Sequence, residues 1–225
     1  MNTRTDRGPV RWRRQVGWNP TSRHWRIASL FMCGSVVFAI GSFPLYFRHL
    51  PPGVVGATFV VGALIFTAAA ASAFLEVIND DDPPRARRWA WQPHRSKWWA
   101  AFVQLAGTLF FNVSTVDAMI DNLSAVDTNK LVWAPDMFGS ICFLIASHLG
   151  WLAVRAQGGR ESSDRTSWWI AVLNYVGSVF FMIAAFAAIT LRTTGEELNT
   201  ALVNSGTLAG AVSFFVAAYL LLPPR

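Results

Sequence analysis

The chain has 225 residues, 53% of them hydrophobic and 14% aromatic, with eleven tryptophans and a net charge of +6. That composition excludes an ordinary soluble globular domain and is that of a protein embedded in a membrane. The positive charge is no sign of nucleic-acid binding, which would need a soluble fold to carry a basic stripe.

Residues 1–25 are a basic, cytoplasmic tail of interleaved tryptophan and arginine ("RWRRQVGW", "RHWR"), its first 22 residues expected to be largely disordered off the membrane. The apolar stretch at 27–47 exceeds the apolar region of a signal peptide. The "FPLYFRHLPP" that closes it has no small-x-small cleavage site, so the stretch is a retained first span. Arg13 and Arg14 lack the apolar residues that follow in a twin-arginine signal. Further apolar stretches follow at 54–77, 98–119, 135–154, 168–191 and 200–222. Each is about the 20 residues that cross a bilayer as a helix, where backbone groups must be paired within their own segment. The alternating strands of a transmembrane barrel are absent. The predicted fold is an all-α integral membrane protein of six transmembrane helices in three tandem hairpins, at 26–78, 98–155 and 167–225. Basic cytoplasmic loops at 79–97 and 156–166 join them.

Lysine and arginine orient the chain. Seven precede the first span, five lie between spans two and three and three between spans four and five, against one in each remaining connection. The positive-inside rule places both termini in the cytoplasm of a bacterial cell, the chain lying in its inner membrane. Asp121, Asp127, Glu196 and Glu197 fall on the outer side, and the sequon at Asn122 is a chance match.

A spacing recurs in every span. Glycine stands at Gly34, Gly62, Gly107, Gly139, Gly177 and Gly210, and four residues later come Phe38, Phe66, Phe111, Phe143, Phe181 and Phe214. Small residues occupy the seventh and eighth places, and Trp25, Trp98 and Trp168 precede the glycine by nine in odd spans only, so the predicted unit is a hairpin present three times. Glycine, the residue four on and the residue seven on lie within about 60° on a helix, one narrow stripe. Between membrane helices there is little hydrophobic drive, so a glycine notch that seats a neighbour's phenylalanine is what close packing calls for.

The phrases "CGSVVFAIGS", "FGSICFLIAS" and "YVGSVFFMIAA" resemble the YrhK-like family of small bacterial membrane proteins. The resemblance implies a multi-spanning membrane protein and supplies no catalytic residue.

Polar residues at membrane depth are the remaining candidates for chemistry. Gln104 and Asn174 each stand three residues before a glycine and are expected to act as interhelical hydrogen-bonding groups. Ser114, Asp117 and Asp121 form a cluster toward the outer end of span three, expected to be a solvated helix end rather than an ion or proton site. Glu76 is expected to pair with nearby arginines, while Asn112 and His148 lie off the glycine stripe. His148 has no ligand partner at three or four residues' spacing, so no metal is expected. Cys33 and Cys142 differ in depth by roughly 10 Å at 1.5 Å per residue, beyond the Cα separation of about 7 Å that a disulfide allows, and are expected to be free, buried thiols. Signatures of soluble enzymes are missing, and no catalytic residue or cofactor is expected.

The cytoplasmic segments suit anionic headgroups, with rings at the interface and guanidiniums on phosphates, so membrane lipids are the expected partner. A protein partner docking on the tail is compatible with the same residues. Two functional classes fit: a non-enzymatic scaffold, sensor or accessory subunit, and a small transporter or channel with its path at the centre of the hairpins. A membrane-embedded enzyme ranks third. The repeats run in parallel and lack the inverted symmetry of many secondary transporters. An inward stripe of Gly, Phe and Ala favours a sealed centre.

Overall fold

The computed structural model describes residues 18–81, 86–156 and 162–222, the side chains at 162–164 excepted. Most of the 1–25 tail, with Arg13 and Arg14, and Asp82, Arg85, Arg160 and Arg225 lie outside the described residues. The helices are α1 (Arg23–Gly41), α2 (Pro44–His49), α3 (Pro52–Ile78), α4 (Ser96–Asp117), α5 (Ala125–Thr128), a π-helical turn (Asn129–Trp133), α6 (Ala134–Ala156), α7 (Ser162–Ala187) and α8 (Thr200–Leu221). The elements from α5 to α6 make one rod, so six helices are long and apolar enough to cross a membrane. The fold is all-helical: among the described residues the only β structure is an isolated bridge between Thr190 and Glu197.

Local chemistry moves three of the expected ends. The apolar run predicts a first span reaching residue 47, but α1 stops at Gly41 because Pro44 opens α2 and holds Phe43 extended, at φ −77° and ψ 130°. The fourth span begins ten residues before its apolar run, at Ala125, where the Ser124 hydroxyl accepts from the Asp127 N–H at 3.2 Å. Its π turn ends two residues before Pro135, whose missing N–H and bulky ring disfavour a regular turn there. The helix of the fifth span, α7, ends at Ala187 rather than 191. There the chain folds back through hydrogen bonds from the Leu191 N–H to the Glu196 carbonyl and from the Leu198 N–H to the Ile189 carbonyl, both 2.8 Å. Gly195 stands at φ +74° in that loop, a left-handed geometry natural to glycine.

The six long helices form a closed ring. Within hairpins α1 packs on α3, α4 on α6 and α7 on α8; between hairpins α3 packs on α4, α6 on α7, and α8 returns to α1. Each hairpin is held by a reciprocal exchange. A Cβ placed on Gly34 would meet the Phe66 ring at 2.5 Å, and one on Gly62 the Phe38 ring at 3.0 Å. Gly107 faces Phe143 at 2.8 Å and Gly139 faces Phe111 at 3.0 Å. Gly177 faces Phe214 at 3.2 Å, and Gly210 faces Phe181. Antiparallel pairing explains the exchange, because a spacing of four read in opposite directions sets each glycine level with its partner's phenylalanine.

The tryptophans that mark odd spans do not share one environment. Trp98 is fully buried, Trp25 half-buried and Trp168 exposed. Among the described residues only Trp98 has a folded loop over it: its indole N–H donates to the Ala90 carbonyl at 2.8 Å and its ring stacks on Phe102 at 4.9 Å.

Candidate functional site

The candidate site is the middle of the ring, where all six motif phenylalanines enter one buried cluster. Phe66, Phe143 and Phe214 from the even spans form one triangle, with ring centroids 5.8 to 6.3 Å apart. From the odd spans Phe181 touches Phe38 at 6.1 Å and Phe111 at 5.9 Å. The layers meet through pairs within each hairpin, at 5.7, 5.2 and 5.3 Å. Such contacts contribute about 0.5–1.5 kcal/mol each beyond simple burial. Between Phe38 and Phe111 remains an apolar void of about 10 Å³, also bordered by Ala63 and Thr108, room for about one water but with no polar wall to hold it. Thr108 turns its hydroxyl to the Leu105 carbonyl at 2.7 Å. The axis of the bundle is a plug of aromatic rings.

Polar groups lie in the seams between hairpins. On the α6–α7 seam Ser140 donates to the Phe181 carbonyl at 3.4 Å and Ser178 to the Phe143 carbonyl at 3.2 Å. Ser147 joins them, 2.8 Å from the Ser178 hydroxyl and 3.3 Å from the Asn174 carbonyl. On the α3–α4 seam Asn112 donates to the Thr67 hydroxyl at 2.8 Å, which settles the face of Asn112 as a helix contact. On α1, Ser35 is fully buried and its hydroxyl oxygen has no hydrogen-bond partner among the described residues. Sequence reasoning passed over these hydroxyls, although the signal stood directly after four of the six glycines, at Ser35, Thr108, Ser140 and Ser178.

The polar residues singled out from sequence are dispersed. Gln104 and Asn174 are half-buried on different hairpins; Asn174 enters the α6–α7 network only through its backbone carbonyl, and among the described residues neither side-chain amide makes the interhelical hydrogen bond expected of it. Ser114 is buried, Asp117 is the half-buried last residue of α4, and Asp121 is exposed in the turn beyond. Among the described residues no hydrogen bond joins these three side chains. Glu76 corrects an expectation: its partner is His24 of α1, at 3.2 Å, and Arg95, at the far end of the following loop, goes instead to Asp80 at 3.0 Å and Asp81 at 3.2 Å. The thiols are free, as the depth difference requires, but not buried: Cys33 is exposed and Cys142 half-buried. Cys33 directly precedes Gly34, so it is turned about 100° from the packing stripe.

Each end of the bundle carries an asparagine clamp. At the end bearing the interhairpin loops, Asn79 accepts from the Arg87 N–H at 2.7 Å and donates to the Arg87 carbonyl at 2.9 Å, tying down the loop that covers Trp98. At the other end Asn129, in the π turn, donates to the Thr190 carbonyl at 2.7 Å and accepts the Thr190 N–H at 2.8 Å, while the Trp133 indole reaches the Ala185 carbonyl at 2.9 Å. Near this clamp burial pushes the Glu197 carboxyl above the usual carboxylate range, against a hydrogen bond with Thr200 that lowers it. Among the described residues no three His, Cys, Asp or Glu side chains converge on a metal-sized site.

Compared with known proteins, the chain matches no family model, no curated protein and no solved structure.

Proposed function

We propose that the chain is a multi-pass protein of the bacterial cell membrane, with both termini in the cytoplasm, acting through its surfaces as a non-enzymatic scaffold, sensor or accessory subunit. The observation that carries this reading is the ring plug. A conducting path needs polar lining at successive depths, whereas the axis here is filled by six phenylalanines and one apolar void. The matched glycine–phenylalanine exchange supports reading the hairpins as copies of one unit, and with it the likeness to the YrhK-like family. The lysine and arginine distribution supports the orientation, with anionic lipid as the partner of the cytoplasmic face.

Two experiments test this. The purified protein in liposomes is expected to show no proton or monovalent-ion flux above empty vesicles under an imposed gradient. A flux that Asp117→Asn or Gln104→Leu abolishes would establish the alternative, a small transporter or channel. A reporter fused after Arg225, or placed in the loop near Arg88, is expected to be active only in the cytoplasm. Activity outside the cell at either place rules out the orientation.

A further inference from the structure

A ladder of side chains climbs the outside of the α6–α7 seam toward the end that bears the interhairpin loops. On α6, His148, Trp151 and Arg155 recur at spacings of three and four and so share a face. The Arg155 guanidinium carbon sits 4.6 Å over the Trp151 ring. His148 lies 5.9 Å below that ring, tilted 36°, and 6.0 Å from Tyr175 of α7. His148, Arg155 and Tyr175 are exposed and Trp151 is half-buried.

Among the described residues the charge on this ladder is unspent. Among the described residues, carboxylates hold Arg95 and Lys97 through Asp80 and Asp81, and Glu76 takes His24, but none is paired with Arg155. Stacking on an indole fixes a guanidinium without neutralising it and leaves its N–H edge free to grip an oxyanion bidentately. Arg155 stands one residue from the end of its helix, level with the headgroup layer on the orientation proposed above. His148, seven residues earlier, is about 10 Å deeper. Ile145 and Leu152 are exposed on the same side of the helix, at 46% and 44%. From the end inward the surface therefore offers a cation, an aromatic plane with Leu152 beside it, two groups capable of hydrogen bonding at one depth, and then the apolar Ile145. That order matches a glycerophospholipid from phosphate through ester carbonyls to acyl chain.

We propose that the Arg155–Trp151–His148–Tyr175 ladder is a discrete site for one anionic glycerophospholipid, its phosphate on Arg155 and its esters level with His148 and Tyr175. The assignment rests on the reading that this end of the bundle meets an anionic leaflet, and it narrows that reading from a general basic belt to one seam.

Native mass spectrometry of the full-length protein, with phosphatidylglycerol and phosphatidylcholine of equal chain length, tests it. Wild type is expected to retain one phosphatidylglycerol in preference to phosphatidylcholine. Arg155→Gln is expected to lower that retention about fivefold, the share of a single basic residue at a membrane surface. Arg88→Gln, at an exposed arginine in the loop between the first two hairpins, is expected to leave it unchanged. Melting temperature in detergent without added lipid is expected to be the same for all three proteins, since both arginines are exposed. A preference for phosphatidylglycerol that survives Arg155→Gln, or that falls equally in both variants, overturns the site and leaves the general basic belt standing. No preference in wild type overturns the belt and the site together.

Discussion

Gly210→Ala is expected to lower the melting temperature of the detergent-solubilised protein sharply, while Gly150→Ala leaves it unchanged or raises it. A Cβ on Gly210 would meet two carbons of the Phe181 ring and the Gly177 carbonyl oxygen at 3.0 Å, and one on Gly177 would meet the Gly210 carbonyl at 3.2 Å. Here α7 and α8 touch backbone to backbone, so a ring flip cannot make the room and the helices must part. Parting them strips the plug of its close contacts, and overpacking of this kind costs about 1–3 kcal/mol. Gly150 lies in the same kind of helix with nothing within 4 Å of its added Cβ. There the substitution only removes glycine's entropic disadvantage, worth about 0.5–1 kcal/mol. Equal shifts in the two variants would show that the glycine notches do not hold the hairpins.

Phe143→Ala is expected to destabilise by about 3–5 kcal/mol, the range for deleting a buried aromatic ring. Phe143 is 2% exposed and touches Phe111 at 5.2 Å, Phe214 at 5.8 Å, Phe66 at 6.3 Å and Phe181 at 6.5 Å. It belongs to both layers' contacts, and its loss enlarges a void the ring already contains. Phe110, one residue before the motif phenylalanine of α4, is 39% exposed with Phe138 as its ring neighbour at 5.7 Å, so Phe110→Ala is expected to cost far less. Chemical or thermal unfolding of the two variants side by side reads the difference. If they unfold alike, the aromatic centre carries none of the stability assigned to it.

The Gly–Phe stripe was legible because one spacing repeated on six helices fixes the packed face of each, and antiparallel pairing then determines which glycine meets which ring. The thiols could have been placed by the same rule, since Cys33 is one residue from Gly34 and Cys142 three from Gly139; depth alone says nothing about face. What distinguishes one seam from another was not legible. Ser35, Ser140 and Ser178 hold the same place after their glycines, yet two reach a carbonyl across a seam and one does not, a difference set by how neighbouring helices lie. The pairing of Glu76 with His24 likewise depends on the approach of separate elements. Composition marks that loop 79–97 is basic and aromatic, but its closure over Trp98 needs Asn79 to find the backbone of Arg87.

The closed ring also sets an order in time. Each hairpin carries both halves of its own latch, so Gly34 and Phe66 can engage once the second span has been made. The α3–α4 and α6–α7 seams join spans that are neighbours along the chain. The α1–α8 seam joins the first span to the last. During synthesis the flank of α1 that meets α8 must therefore wait, covered by lipid or by the insertion machinery, until α8 has entered the bilayer.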